Sequence, residues 1–429
     1  MAATSLASAD PPKREVPDYD GRGNAGAHDE PVIVWVPRII LSPLYAVNEY
    51  LLRRPIGWVV RHAESGHWVQ SVEEVFKFGP NGENIILPTF LFDFGLLPSV
   101  GLYYSGDNFL VEKNNLALHG ATWGPKWINI TAADRYKIDE SDSVQARFEY
   151  RRSLDTLFYG IGPDVVSGEQ SRYGLIRVDG NLSYRRLLAN ESWLDMTAGM
   201  HHFGFVSGTC CGNPSLDEQI ANNVYPAPPG YREAYTTAYA RLQLTLDSRA
   251  PRPKPGSGIY FYSHANASQD VHAARSWLEY GSVLGAAVDL TGHQRTIKLQ
   301  VAVNMLDAIQ GDVGKVPFTE YPTVTNYLMP GFVPGWLTGL SNAAAQIGYT
   351  WPVWAYLDGQ VRFAVGNAFG YHLDGLAPRN FRFSGDIGFT TTTARDNGFE
   401  VLFGLGTETV DQGAGITSVR ITFGSRRGF

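Results

Sequence analysis

The sequence lacks the features that would place it in several familiar protein classes. Its net charge is only −7 and its lysines and arginines are scattered, so no basic stripe indicates a nucleic-acid partner. It also lacks an apolar run that could form a transmembrane helix. The longest uncharged stretch, 321–357, is interrupted by four prolines, which exclude one continuous helix in lipid.

Cysteine is almost absent. The two cysteines, Cys210 and Cys211, are neighbours in the chain, and a disulfide between neighbours cannot join distant parts of a fold. Two thiols do not complete a zinc site either. We interpret the pair as a loop feature without chemistry, with a redox role as the alternative.

The first part of the chain lacks regular patterning. Residues 1–30 are polar and rich in Gly, Pro, Asp and Ala, which predicts a disordered leader. Its segment 6–9 before Asp10 resembles the end of a signal peptide, so the leader is either a remnant of one or a plain polar extension. Residues 31–83 are predicted to form an N-terminal amphipathic helical segment, with a helix starting at Ser42-Pro43 and a second around 56–61. This segment is either an interfacial or barrel-plugging helix or an ordinary packing helix.

What the sequence does have is alternation with a period of two from about Asn84 to Phe429. In one example, Ile297, Leu299 and Val301 alternate with polar or small residues. Such segments exceed the roughly 5–6 residues usual in soluble sandwiches and reach the roughly 9–11 that a tilted strand needs to cross a bilayer. The 22 Tyr and 10 Trp suit the two membrane interfaces.

The predicted fold class is therefore an all-β membrane protein, an antiparallel transmembrane β-barrel of about 16 strands over residues 84–429. An even number of strands is expected of single-chain bacterial barrels. With both ends in the periplasm, the long connections 207–233 and 310–338 are predicted to be extracellular. The strands are predicted at 84–93, 98–106, 113–123, 127–138, 144–159, 171–187, 191–206, 234–249, 257–269, 274–290, 295–309, 339–354, 357–371, 380–394, 398–410 and 417–429.

Several short motifs carry a family resemblance over residues 85–429. The segment 158–163 (FYGIGP) is similar to an FYGxG motif, and 328–332 (LMPGF) resembles the (V/L)RGF tip of a long sixth loop. The segments 349–352 and 366–369 resemble EYRxP and FxDxGN motifs. In this order, they resemble the bacterial surface antigen barrels of the BamA/TamA-like superfamily. The motif residues are Phe158, Tyr159, Gly160 and Gly162, the loop tip Pro330, Gly331 and Phe332, and the C-terminal barrel signal Phe423 and Phe429.

The departures from the family pattern are paired. The arginine of the family's loop tip corresponds to Pro330, and its acidic partner corresponds to Ala364. Losing one member of a buried ion pair is costly, whereas losing both is close to neutral, so the double loss reads as one coherent change. We therefore expect the loop to fold into the lumen and to be held there by packing rather than by charge. No POTRA domain is recognised in the residues before the barrel.

No catalytic, cofactor or metal centre is predicted. His201 and His202 are adjacent on a strand and point to opposite faces, so they cannot chelate one metal together. Ser207 is too loosely placed to complete a hydrolase pair with His201. The acidic turn 139–142 could hold a cation but equally resembles a solvated turn.

The resemblance implies a barrel in the bacterial outer membrane that assists outer-membrane protein assembly or export. Its partners would be outer-membrane lipid and unfolded outer-membrane proteins or an envelope complex, and not nucleic acid. The alternative is a passive barrel acting as a narrow channel or as a structural anchor of an envelope complex. A soluble or membrane β-enzyme is the third hypothesis, and we expect no enzymatic activity.

Overall fold

The computed structural model describes residues 50, 58, 75–79, 82–93, 95–189, 191–208, 210–249, 256–290, 295–324, 328–354, 357–391 and 397–427. The predicted leader 1–30, most of the predicted helical segment 31–83 and the terminal Phe429 lie outside these residues. Their interpretations therefore stay predictions.

Sixteen long antiparallel strands form one closed barrel, which confirms the predicted fold class. Each strand overlaps its predicted segment, because the period-two pattern marks the strand and the turn residues mark its ends. A two-residue strand, Lys77–Phe78, pairs with the start of the first long strand. The strands are β1 Asn84–Asp93, β2 Ser99–Asp107, β3 Asn114–Thr122, β4 Ile128–Lys137, β5 Asp142–Phe158, β6 Ser171–Ala189, β7 Ser192–Val206, β8 Tyr235–Asp247, β9 Gly258–Asp270, β10 Ser276–Asp289, β11 Thr296–Gln310, β12 Ser341–Trp354, β13 Leu357–Phe369, β14 Arg382–Thr391, β15 Asn397–Thr407 and β16 Ile416–Arg427.

The two faces of each strand differ as the sequence pattern requires. On β11, Leu299 and Val301 are more than half exposed on the outer wall, whereas Ala302 and Leu306 are buried inside. Large apolar side chains such as Phe363 are exposed on the outside of other strands. An apolar outer wall of this kind is what lipid contact requires and what a water-soluble protein avoids.

The connections separate the barrel into a long-loop end and a short-turn end. The connections 207–234 and 311–340 are the longest and lie at the same end, as predicted, while turns such as 138–141 lie at the other. Within the described part of the chain, no helix has the length and apolarity to cross a membrane. The helices are α1 Leu216–Ala221 and 3-10 turns at Ser167–Glu169, Val313–Lys315, Phe318–Glu320, Tyr371–Leu373 and Pro378–Asn380.

Helix α1, which lies in the connection 207–234, was not predicted from the sequence. Ser215 caps the helix through its hydroxyl, and the Glu218 side chain accepts a hydrogen bond from the Ser215 backbone. This reciprocal capping box is readable as a serine followed three positions later by glutamate.

The seam where the barrel closes, between β16 and β1, is the shortest pairing between two long strands. Among the described residues, three pairs join the two strands, Thr422 with Asp93, Phe423 with Phe92 and Gly424 with Leu91. The next shortest pairing, between β14 and β15, has seven pairs. Closure removes the free edges of the sheet, and here it rests on very little backbone pairing.

Gly424 allows the two seam strands to approach each other. Its φ of +145° is unfavourable for residues with a Cβ atom. A Cβ there would also lie 2.1 Å from the Phe90 carbonyl oxygen. The seam is therefore specified by glycine as well as by its few backbone pairs.

The orientation of the long-loop end can be tested at Cys210 and Cys211, which form a disulfide in loop 207–234. Long loops of bacterial barrels face outward. After mild reduction, an impermeant thiol reagent should label these cysteines on whole cells. A control variant with Cys210→Ser, Cys211→Ser and Ser141→Cys, whose thiol lies in a short turn, should be labelled only after permeabilisation. The reverse pattern would invert the topology.

Candidate functional site: the lumenal loop tip and the barrel seam

The described part of the loop between β11 and β12, residues 311–324 and 328–340, places its tip in the barrel lumen. Met329, Phe332 and Trp336 at and near its tip are 1%, 2% and 3% exposed. They join one buried apolar cluster with lumen-facing wall residues, among them Ala302 and Ala344. The removal of these apolar side chains from water stabilises the inward position of the loop.

The backbone of the tip is bonded to the barrel wall at Gly331. Its N–H donates to the Ser384 hydroxyl of β14 at 2.8 Å, and its carbonyl accepts from the Ser418 hydroxyl of β16 at 2.6 Å. Both serines are buried. A buried backbone group without such partners would be costly, so the two hydroxyls fix the position of the tip.

Glycines form the groove in which the tip lies. A Cβ at Gly331 would lie 1.9 Å from the Leu405 carbonyl oxygen of β15. A Cβ at Gly404 would lie 3.0 Å from the Gly331 Cα, and one at Gly406 would lie 2.8 Å from the Phe332 ring. The sequence identified the tip glycine, but only the fold shows that two strand glycines make room for it.

A buried ion pair lies between the tip and the seam. Arg420 of β16 donates two hydrogen bonds to the Asp93 carboxylate of β1, at 2.8 and 2.5 Å, and a third to the Pro330 carbonyl oxygen at 3.3 Å. The Thr422 hydroxyl also donates to Asp93, at 3.3 Å. The tip is therefore held by packing in the buried cluster and, in addition, by a guanidinium of the barrel wall that bonds to its backbone.

Ala364, which the predicted alignment puts at the position of the resembled family's acid, lies on the lumen face of β13. It is 6% exposed and belongs to the same buried cluster as Met329 and Phe332. Its cross-strand partner Gln346 donates to the Leu328 carbonyl oxygen at 2.8 Å. The wall thus contacts the tip through the Ala364 methyl group and the Gln346 amide, whereas the family pattern would have a carboxylate there.

The FYGIGP segment contacts the same loop. The ring of Tyr159 stacks on Trp336 with centroids 4.1 Å apart, and Phe158 packs edge-on against Phe318 at 5.2 Å. Aromatic pairs of this geometry contribute about 0.5–1.5 kcal/mol beyond their buried area. Two motifs about 170 residues apart in the sequence are therefore brought together in the lumen.

The motif glycines Gly160 and Gly162 lie in the turn that follows β5. Gly160 and Gly162 have φ values of +116° and +99°, which favour glycine. A Cβ at Gly160 would lie 2.8 Å from a Val165 methyl, and the Gly162 N–H donates to the Thr338 carbonyl oxygen at 2.9 Å. Their role in this fold is to shape the turn and to hold the returning arm of the loop.

The other two motif-like segments lie in different places. In 366–369, the Asn367 amide donates to the carbonyl oxygens of Pro163 and Asn380, at 3.1 and 2.7 Å, and so ties β13 to the FYGIGP segment. The segment 349–352 lies towards the short-turn end of β12, where Tyr349 stacks on Trp351. The fold therefore brings only one of the two segments to the loop.

Phe423 of the C-terminal signal lies on the outer wall at the seam. It is 41% exposed, and its ring packs edge-on against Phe90 of β1 at 5.4 Å and Phe399 of β15 at 5.1 Å. Its side chain thus bridges the seam on the lipid-facing side, opposite the ion pair inside.

A second anchor holds the loop at Glu320. Its carboxylate accepts a hydrogen bond from the Tyr235 hydroxyl at 2.7 Å and lies 2.9 Å from the His201 Nε2. His202 is exposed on the opposite face and contacts Thr236, so the two histidines face opposite sides as expected. Burial raises the pKa of Glu320, but the interactions with His201, and after it those with Tyr235 and Arg177, together outweigh burial, so this pKa lies below its usual value.

The acidic turn 139–142 uses its first carboxylate internally. Asp139 accepts the backbone N–H groups of Ser141 and Asp142, each at 2.8 Å, and these bonds lower its pKa. Among the residues that the structure describes, no group of three or more His, Cys, Asp or Glu side chains could hold a metal ion. The Asp139 carboxylate is therefore engaged by the backbone of its own turn.

Comparison with known proteins places the fold but not the function. No protein-family model and no curated protein matches the sequence. The barrel is similar to BamA from Haemophilus ducreyi lacking POTRA domains 1-3, with 12% identity over 80% of this chain and 70% of that one, and a TM-score of 0.57. CdiB from Acinetobacter baumannii gives 11% identity over 81% of this chain and 60% of that one, with a TM-score of 0.49. At such identity, the likeness to BamA establishes the barrel architecture alone.

The lowered pKa of Glu320 predicts an acid-dependent stability. The unfolded glutamate has a pKa of about 4.3. The stabilisation is therefore present above about pH 4.3 and is lost as the pH falls through the lower folded pKa. Between about pH 6 and about pH 3, the thermal midpoint should fall less in Glu320→Gln than in the wild type. Glu112→Gln, in an exposed turn, is the control, and its thermal midpoint should fall as much as that of the wild type. An equal fall of the thermal midpoint in the wild type and in both variants would contradict the prediction.

Restoring the family's charge pair tests the alignment of the loop tip. Pro330→Arg should destabilise the barrel by several kcal/mol, because a second guanidinium would enter a confined space already holding Arg420. Adding Ala364→Asp should recover much of that loss, since the new carboxylate would face the tip. The measurement is a double-mutant cycle followed by thermal unfolding in detergent. Simple additivity would show that Pro330 and Ala364 are not the family's paired positions.

Proposed function

We propose that this chain is an outer-membrane barrel that assists the assembly or export of outer-membrane proteins at its seam. The observation that carries the proposal is the three-residue pairing between β16 and β1, against seven or more pairs between every other two neighbouring long strands in the described part of the chain. A seam with so few backbone bonds is the part of the wall that opens at the lowest free-energy cost.

The first strand presents an edge that another strand could use. Among the described residues, 86–89 of β1 have ladder partners on β2 alone. Backbone groups facing lipid need hydrogen-bond partners, because each unsatisfied group costs several kcal/mol. An extended segment of an unfolded barrel protein supplies such partners by strand addition. The partner is therefore an unfolded β-barrel protein together with the surrounding lipid.

The outer-membrane location is part of the same proposal. An even number of strands, an apolar outer wall and long loops gathered at one end are the properties of bacterial outer-membrane barrels. The proposal includes no catalytic step and no cofactor. Strand addition and lipid contact need backbone groups and apolar surface, which this barrel supplies.

A seam crosslink tests the function. In a background with Cys210→Ser and Cys211→Ser, Phe92→Cys and Phe423→Cys place thiols on cross-strand partners of the outer wall. Such partners lie about 4.5–5.5 Å apart, which a disulfide can span. The purified protein in liposomes should speed the folding of a urea-unfolded, eight-stranded outer-membrane protein. Oxidation should abolish that acceleration, and reduction should restore it.

The matched control places the same crosslink one strand away. Phe403→Cys and Ile421→Cys are outer-wall partners on β15 and β16, and their disulfide leaves the seam free. Oxidation of this variant should not alter client folding. Acceleration that survives oxidation of the seam pair, or that is absent from the reduced protein, would contradict the proposal.

A passive barrel, acting as a narrow channel or an anchor, is the second candidate. It is favoured by the inward loop, whose buried tip occupies part of the lumen, and by the buried ion pair at the seam. A passive channel would give conductance steps in a planar bilayer that the seam crosslink leaves unchanged. It would also leave the folding rate of the client at that of empty liposomes.

A further inference from the structure

The ion pair between Asp93 and Arg420 joins the two strands that close the barrel. Asp93 is the last residue of β1, and Arg420 lies on β16, 327 positions later in the chain. The two side chains are 7% and 3% exposed, and the pairing is bidentate. Charge-assisted bonds of this geometry are about twice as strong as neutral ones. They add to a seam that has only three backbone pairs.

The same guanidinium also contacts the loop tip. Arg420 donates to the Pro330 carbonyl oxygen, and the next residue, Gly331, is held by Ser418 two positions earlier on β16. The inner face of β16 thus bonds to β1 on one side and to the tip on the other. Any movement of β16 away from β1 must therefore disturb both sets of bonds.

Opening the seam would cost free energy because it separates the charged side chains of Asp93 and Arg420. If β1 moved away, Arg420 and Asp93 would each lose a partner while still surrounded by protein, and an unpaired buried charge is strongly destabilising. The cost falls if the tip leaves first, because water can then enter the space that the tip occupied. Tip release and seam opening are therefore linked, and each favours the other to the same extent.

We propose that Asp93 and Arg420 form a latch that keeps the seam closed while the loop tip is seated and lets it open when the tip leaves. This inference rests on the proposed function in one respect, that the seam is the part of the wall that opens. It assigns the control of opening to this chain's own loop. A client or partner that displaces the tip would thereby unlock the seam.

Amide hydrogen exchange in nanodiscs tests the latch without any client. The probes are the seam segments 89–93 and 420–424 and the tip segment 328–332. Asp93→Asn and Arg420→Met should each speed exchange in both seam segments by at least about tenfold, and should also speed exchange at the tip. The double variant, which leaves no unpaired charge, should be less affected than the sum of the two single changes.

A second ion pair in the same barrel is the matched control. Arg362 and Asp386 form the same bidentate bond, at 2.8 and 2.9 Å, between β13 and β14, which share ten residue pairs. Arg362→Met and Asp386→Asn remove the same kinds of groups away from the seam. They should leave exchange in the seam segments unchanged.

The reverse direction of the coupling is tested at the tip. Gly331→Ala forces a methyl group against the Leu405 carbonyl and should unseat the tip. Exchange at the seam should then rise by at least about tenfold in the wild-type background, and by much less when Arg420→Met is already present. Unboiled migration on a gel identifies the variants that have folded, and the double charge variant remains available if a single variant fails to fold.

The outcomes separate the latch from the proposed function. Unchanged seam exchange in the folded Asp93 and Arg420 variants would overturn the latch. So would a seam response to Gly331→Ala that is the same with and without Arg420. Faster seam exchange with no acceleration of client folding would leave the latch standing and overturn the proposed function instead.

Discussion

The need to pair every backbone polar group governs this structure. A long-stranded sheet with an apolar outer wall cannot leave an edge open, so it has to close on itself. Fifteen of the junctions between neighbouring strands are made by long ladders, and one, the seam, is made by three pairs. The side chains around the seam compensate for this shortage, with Phe423 bridging it outside and Arg420 with Asp93 bridging it inside.

The loop tip is held in the lumen by interactions that the resembled motif does not contain. That motif has an arginine in the loop and an acid in the wall, and the predicted alignment puts Pro330 and Ala364 at those positions. The structure instead has the guanidinium of Arg420 in the wall, with its acid on β1 and its third bond to the loop backbone. A carbonyl oxygen accepts from any guanidinium in reach, so the tip needs no charge of its own.

The expectation of packing rather than charge did not include the bonds between the tip and the wall, for a physical reason. The motif specifies the side chains at the tip, but four of the bonds that hold it use the backbone of Leu328, Pro330 and Gly331. Backbone groups are the same in every sequence, so no residue pattern announces them. Their partners are single polar residues on strands far apart in the chain.

The sequence by itself determined the barrel. Alternation of period two, strand length and turn residues are local properties, and they set sixteen strands, their order and the faces that meet lipid. It also marked the glycine at the tip and the FYGIGP turn. Only the tertiary structure decided the shortness of the seam, the glycine groove of β15, the pairing of Glu320 with His201, and the ion pair between Asp93 and Arg420. Those features depend on the stagger between strands that become neighbours only when the barrel closes. The residues involved are far apart in the chain, so no local sequence pattern indicates that they are in contact.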